Sequence, residues 1–268
     1  ARDGGTNALL ATPPGATVAA FSYALSPFLL HYGARISIIL LPFAGLPWLI
    51  GFTIRALRRG GWRDPAAFAL ITLTVGGINA TSLLLVLVGP AMWVAYALFA
   101  EREVTWGRVL AVGARIGSLT LISSLWWMAG LMLQGNYGIP ILDYTETYKV
   151  VATASTAPEV MRGLGYWFFY GSDSLGPWIS GAVTMVQNPL VLTVSFLLPG
   201  LVVLSALFTR FRYRAYFVMM VVVGALISIA SHPYESPTPA GAIFKAATGT
   251  DAGLAFRSTP RAIPLLAL

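Results

Sequence analysis

The sequence predicts an all-α fold, a polytopic bundle of transmembrane helices with about seven complete spans and the start of an eighth. Three observations predict it. Hydrophobic residues fill 57% of the 268 positions and charged residues only 10%, with a mean hydropathy of +0.74; a soluble domain carries about 25% charged residues and keeps a largely polar surface. The apolar residues fall in continuous runs instead of alternating with polar ones. That excludes the strands of a membrane barrel and leaves helices, which satisfy their own backbone in lipid. Arginines gather on alternate loops between the runs, the pattern of the positive-inside bias.

In order, the runs predict spans at Ala16–Leu30, Ile36–Ile54, Ala66–Ile78, Ser82–Phe99, Val112–Leu133, Pro189–Phe208 and Ala215–Ala230, with a further helix opening near Pro260. Several fall short of the ~20 residues a full crossing takes. Pro42, Pro47, Pro90 and Pro199 lie within or beside spans and are expected to kink them. Gly113 and Gly117 fit the small-residue pattern of packed membrane helices. The chain starts at Ala1 without an initiator Met and ends in the apolar Ile263–Leu268, so both ends read as cuts through a longer protein. With no cysteine, disulfides, thiolate metal sites and thiol catalysis are excluded.

The charges orient the spans. The loops around Arg58, Arg102 and Arg212 hold Arg55, Arg58, Arg59, Arg63, Arg102, Arg108, Arg210, Arg212 and Arg214 against Asp64, Glu101 and Glu103, a net +6. The opposite side holds Arg35, Lys149, Arg162, Lys245, Arg257 and Arg261 against Asp143, Glu146, Glu159, Asp173, Glu235 and Asp251, a net zero. The first side is therefore expected in the cytoplasm. The overall charge of +7 is explained by this bias, so nucleic acid is not a partner. The polar segments 134–188 and 231–259 then face outward, and loops on a rigid scaffold are where sites concentrate.

Two outer stretches carry candidate chemistry. Asp143–Lys149, Ala157–Gly171 and Ser172–Trp178 combine tyrosines, tryptophans and acids. Aromatic faces stack on sugar C–H groups while carboxylates bind hydroxyls; the plainer account of Trp167, Phe168, Phe169, Tyr170 and Trp178 is an interfacial aromatic belt. In Phe256–Arg261, two arginines beside Ser258 and Thr259 at a helix mouth suit a phosphate. The plainer account is snorkelling and capping, with Pro260 at the first helical position. His31 and His232 read as polar residues at span ends, since no spacing unites them on a metal. Asn79-Ala-Thr81 matches a glycosylation sequon but lies in a tight outer turn. The Arg55–Arg63 cluster is a topology determinant, with anionic headgroups or an acidic cytoplasmic protein as further partners. No phosphate-binding loop, dinucleotide fingerprint or zinc-protease helix occurs. On residues alone, a transporter and a lipid-dependent transferase both remain open.

Phe21-Ser-Tyr-Ala-Leu-Ser-Pro-Phe-Leu-Leu-His-Tyr-Gly-Ala34 resembles the end of the third helix in membrane glycosyltransferases of the GT-C fold. Tyr144–Thr147, the aromatic Ala157–Gly171, Leu175–Trp178 and Arg257–Arg261 resemble the actinobacterial α-(1→3)-arabinofuranosyltransferases that branch cell-wall arabinan, and the resemblance covers residues 1–268. It implies a plasma-membrane enzyme with an extracytoplasmic active face. The implied donor is decaprenyl-phosphoryl arabinofuranose, the implied acceptor arabinan, and membrane lipid surrounds both. It also implies an inverting displacement and a catalytic carboxylate in an outer loop upstream of Ala1, with Glu146 as the fallback within the chain. Arg257 and Arg261 are then expected on the donor phosphate, and Tyr144, Glu146, Trp167, Tyr170 and Trp178 on sugar or acceptor. A divalent cation is an open cofactor, without a metal motif here. Where the family carries an acidic residue after a Gly33-Ala34 pair, this chain has Arg35. The rival class is a transporter or flippase of a polyprenyl-linked sugar, whose usual inverted repeats and mid-membrane charges are not found. The chain alone is expected to bind donor without turning it over.

Overall fold

A computed structural model describes residues 13–33, 36–77, 79–140, 144–230 and 232–268. Ala34, Arg35, Ile78, residues 141–143 with Asp143, and Ser231 lie outside them. The described residues are mostly helical. Four helices are long and apolar enough to cross a membrane: Ser37–Arg59, Ala80–Ala100, Trp106–Tyr137 and Pro189–Phe208. Two shorter apolar stretches, Gly15–Leu29 and Arg214–Ile229, accompany them.

Proline placement explains where the predicted runs hold and where they divide. The first run breaks into α1 (Pro13–Ala24) and α2 (Pro27–Gly33), because Pro27 has no N–H for the Tyr23 carbonyl and its ring crowds that oxygen. The fourth predicted span is likewise α5 (Ala80–Val86) and α6 (Val88–Ala95), divided at Leu87 and closed by a π-helical turn, Tyr96–Ala100. Pro90 cannot bond the Val86 carbonyl, so the break falls one turn upstream of it. Pro42 lies in the first turn of α3 (Leu40–Arg59), where the missing N–H has no partner to lose. Pro47 sits inside α3 and Pro199 inside α11 (Pro189–Phe208), and both helices continue past them. The third predicted span is α4 (Arg63–Gly76), 14 residues long, or ~21 Å at 1.5 Å per residue. The fifth, α7 (Trp106–Tyr137), extends to 32 residues.

The core gathers α3, α4, α5, α6 and α12 (Arg214–Ile229) around Leu46, Leu49, Val86, Trp93, Tyr216 and Met220. The Tyr216 hydroxyl donates to the Gly89 carbonyl at 3.1 Å. The helix expected near Pro260 is a 3₁₀ turn, Thr259–Ala262, leading into α15 (Ile263–Ala267), and it is buried. Gly224 of α12 makes this possible, since a Cβ there would stand 3.0 Å from Leu265 Cβ. By contrast α7 and α11 expose long rows of leucine and valine, faces that suit lipid. A Cβ at Gly113 or Gly117 would meet nothing, so the small-residue pattern makes no close helix contact among the described residues. Arg115 bends back to the Gly61 carbonyl at 3.3 Å, over the Trp62 ring.

On the arginine-rich side every acid is engaged. Arg55 holds Asp64 at 2.6 Å, Arg58 and Arg212 converge on Glu103 at 3.2 and 3.3 Å, and the Tyr96 hydroxyl donates to Glu101 at 2.5 Å.

Candidate functional site

The polar segment after α7 folds into α8 (Tyr148–Ala154), α9 (Ala157–Met161), a 3₁₀ turn at Trp167–Tyr170, a two-residue hairpin (β1 Ser172–Asp173, β2 Gly176–Pro177) and α10 (Ser180–Gln187). Thr147 caps α8 through the Val150 N–H. Gly163 (φ 74°) and Gly165 (φ 107°) take left-handed conformations that an L side chain resists. They turn the chain sharply, so that Leu164 is buried and the aromatic run returns over α2.

The second outer segment, with α13 (Pro239–Ala247) and α14 (Asp251–Leu254), meets the first at Arg257. This guanidinium is 6% exposed. Its Nε donates to the Glu146 carbonyl at 2.7 Å, one Nη to Leu254 O at 3.0 Å, and the other to Thr145 Oγ1. The Glu146 carboxylate takes the Ser258 hydroxyl at 2.5 Å and lies 3.8 Å from Arg257. Thr259 donates to the Ser228 carbonyl of α12 at 3.1 Å. The knot joins both outer segments to the bundle and engages every nitrogen of Arg257.

Arg261 is placed differently. Its Nε is buried with no hydrogen-bond partner, and one Nη reaches Asn79 Oδ1 only at 3.5 Å. Its charge acts on the phenols of Tyr32 and Tyr166, whose rings stand 5.0 Å apart. Burial raises both phenols above their ordinary value, partly offset by Arg261, so they stay protonated donors. The Tyr32 hydroxyl and the Trp167 indole N–H are also buried without partners. An unpaired buried donor costs roughly 1–3 kcal/mol. Two such donors beside the bare Nε of Arg261 itself form a place suited to an anion.

The sequence-predicted residues therefore separate. Arg261 and Trp167 lie together, and Glu146 and Arg257 pair with each other one step away. Tyr144 is 79% exposed. Tyr170 donates to Glu159 Oε2 at 2.6 Å and accepts from the Gly165 N–H, so its hydroxyl locks the turn. Trp178 lies flat on Gly171, where a Cβ would stand 2.1 Å from the ring, and donates its indole N–H to Asp173 at 3.0 Å. It braces the hairpin. The Asn79 side chain caps α5 through the Ser82 N–H at 2.8 Å and faces Arg261, a structural use for the sequon asparagine. His232 Nδ1 meets the Ala152 carbonyl at 2.9 Å.

Tyr32 and Tyr166 were quoted only within longer stretches of the sequence, and Asn79 only as a sequon, none of them as part of this group. Tyr32, Asn79, Tyr166 and Arg261 are spread over most of the chain, and no spacing announces their meeting. Arg162 was also missed. It is almost fully buried and donates to Ser195 Oγ at 2.7 Å, Glu159 Oε1 at 2.5 Å and Met185 O at 2.6 Å; the Glu159-x-x-Arg162 spacing was the available signal. Among the described residues no group of three or more His, Asp or Glu side chains could hold a metal ion.

His31, just past the first apolar run, is fully buried against Phe28, Tyr32, Tyr166 and Phe169, with neither ring nitrogen partnered. Burial lowers its pKa from 6.5 to about 3. Between those values the unfolded chain binds a proton that the folded one refuses, so stability falls as pH drops below the unfolded value. Taking the protein from pH 7 to pH 5 should cost about 2 kcal/mol from this group. Melting curves at both pH values should show the loss in the wild type and a smaller one in His31→Leu; equal losses would count against it.

With this geometry in place, residues 6–266 match a GT-C domain, a helical membrane domain of glycosyltransferases. The matching family is the alpha-(1->3)-arabinofuranosyltransferase, N-terminal GT-C domain, and the chain belongs to it. It is 28% identical over 227 residues to the alpha-(1->3)-arabinofuranosyltransferase of Mycobacterium tuberculosis H37Rv, covering 82% of this chain and 15% of that protein. It is 27% identical over 164 residues to the protein of the same name from Mycolicibacterium smegmatis, covering 59% of this chain and 11% of that one. The chain thus spans about a seventh of the length of the first relative. No solved structure matches it.

Proposed function

We propose that this chain is the donor-holding part of a membrane glycosyltransferase that moves arabinofuranose from a polyprenyl phosphate, of the decaprenyl-phosphoryl kind, to an arabinan, forming α-(1→3) branches. One observation carries the reading: Arg261, with its unpartnered Nε, stands beside the protonated Tyr32 and Tyr166 and the Trp167 indole. This group suits a phosphate whose charge grows as its bond to the sugar breaks. An acceptor hydroxyl attacks the anomeric carbon in line, a base takes its proton, and the polyprenyl phosphate leaves with inversion. Arg261 and the phenol donors stabilise the leaving oxygen, being already in place when charge develops. Arg257 positions this group through Glu146 and Ser258. The Glu146 carboxylate is committed to those partners, so the base is expected from the rest of the longer enzyme.

The proposed topology has seven crossings in the plasma membrane, with the short α4 and the divided first segment among them. Segments 134–188 and 231–259 face outward and the arginine-rich loops face the cytoplasm. Anionic lipid or an acidic protein would meet the Arg55–Arg63 loop there, through Arg59 and Arg63, since Arg55 is neutralised by Asp64 and Arg58 by Glu103.

The test uses the full-length protein in sided vesicles, with lipid-linked arabinofuranose and a synthetic arabinan acceptor. Acceptor supplied to the extracytoplasmic face should be extended, and acceptor supplied only to the cytoplasmic face should not. Movement of donor across the bilayer without extension would make the protein a flippase and sink the proposal.

A further inference from the structure

Beside the donor group, and resting on the transferase reading, the same outer segment carries an open pocket of about 350 Å³. It is walled by Val150 and Thr153 of α8, Thr156 just before α9, Glu159 of α9, and the rings of Trp167 and Tyr170. We infer that this pocket is an acceptor subsite for a neutral pentose ring of the glycan, separate from the donor phosphate at Arg261.

The chemistry of its floor selects the ligand. Glu159 is fixed at both oxygens, by Arg162 at 2.5 Å and by the Tyr170 hydroxyl at 2.6 Å. Arg162 is itself buried, bonded to Ser195 and the Met185 carbonyl, and packed over the Phe196 ring. The carboxylate's charge is therefore balanced from below, so the pocket makes no demand for a cation. Its side chain remains 22% exposed, and each oxygen keeps lone-pair capacity for a hydroxyl. Thr156 begins α9 without a side-chain capping bond, so its hydroxyl is available to a ligand. Two aromatic walls supply faces for ring C–H groups. A volume near the lower end of ligand pockets, about 300–1,000 Å³, suits roughly one or two pentose rings. Trp167 is a shared wall: it lines the pocket and packs on Tyr166 at 5.9 Å, which stands beside Arg261. An acceptor seated here would end close to the donor.

The experiment uses the full-length enzyme and three variants: Thr156→Trp and Val150→Trp, which fill the pocket from two walls, and Thr156→Ala, which leaves it open. The KM for a synthetic arabinofuranosyl oligosaccharide, the KM for donor and the slow hydrolysis of donor by water are measured. Filling should raise the acceptor KM at least roughly tenfold, and Thr156→Ala about two- to threefold. Donor KM and donor hydrolysis should stay at wild-type values. An unchanged acceptor KM in a Trp variant that melts as the wild type does would overturn the subsite, and so would equal effects of Trp and Ala at position 156. If the wild-type protein transfers no sugar, the transferase reading fails on its own. Calorimetric binding of the same oligosaccharide to wild type and filled variants then still decides: binding lost on filling supports the pocket, and equal binding overturns it.

Discussion

Replacing Arg261 by alanine in the full-length enzyme is expected to lower kcat about 10²–10³-fold, roughly 2.7–4 kcal/mol of transition-state stabilisation, the scale of losing one oxyanion donor. The guanidinium is the cation of the group that Tyr32, Tyr166 and Trp167 surround. Its unpartnered Nε is the atom with most to gain from an oxygen whose charge increases. Lysine should restore only part of the rate, because a point charge lacks the planar fork. Tyr32→Phe and Tyr166→Phe should each give a smaller loss, near the worth of one hydrogen bond to a charged group, about 1.5–3 kcal/mol. Donor KM should change less than kcat in all of them, since the interaction strengthens as the phosphate leaves. Wild-type kcat in Arg261→Ala, with a wild-type melting profile, would move Arg261 to ordinary interfacial snorkelling.

The helical class was legible because membrane helices are written in continuous local runs. Pro189–Phe208 coincides with α11 to the residue. The interruption at Leu87, one turn before Pro90, is the kind of kink expected there, whereas the division of the first segment just before Pro27 was not foreseen, because a hydropathy run does not register it. The site was less legible. Arg257 and Arg261 are four residues apart and were read as one phosphate clamp. The fold gives them opposite surroundings, because Thr145 and Glu146 come from a loop more than a hundred residues upstream. The aromatic run left a sugar-binding surface and an interfacial belt both open; Gly171 lets Trp178 lie on the backbone and Glu159 takes the Tyr170 hydroxyl, bracing roles that neither reading foresaw. Tyr32 gained its place only when Gly163 and Gly165 turned the Tyr166–Tyr170 segment back over α2. Burial and left-handed backbone created those meetings, and neither has a signature in residue spacing.

Arg257→Ala should act on folding where Arg261→Ala acts on rate. The substitution leaves the Glu146 carboxylate, whose side chain is 9% exposed, with only the Ser258 hydroxyl for company. It also strips donors from two backbone carbonyls and from Thr145. Breaking a buried ion pair from one side costs about 3–5 kcal/mol, because the remaining charge is buried and uncompensated. The loss should be local: hydrogen exchange should accelerate across residues 144–148 and 254–259, while α3, α4 and α12 keep their protection. Glu146→Gln added to Arg257→Ala removes the stranded charge and should recover part of the loss. The two changes should therefore be non-additive by about 0.5–3 kcal/mol in a double-mutant cycle, as for residues in one network. Two arginines sharing a phosphate would give a different pattern, in which Arg257→Ala leaves exchange unchanged, lowers kcat as far as Arg261→Ala does, and adds nothing in combination with it. That result would return Arg257 to the donor and leave the joint between the outer segments to Ser258 and Thr259.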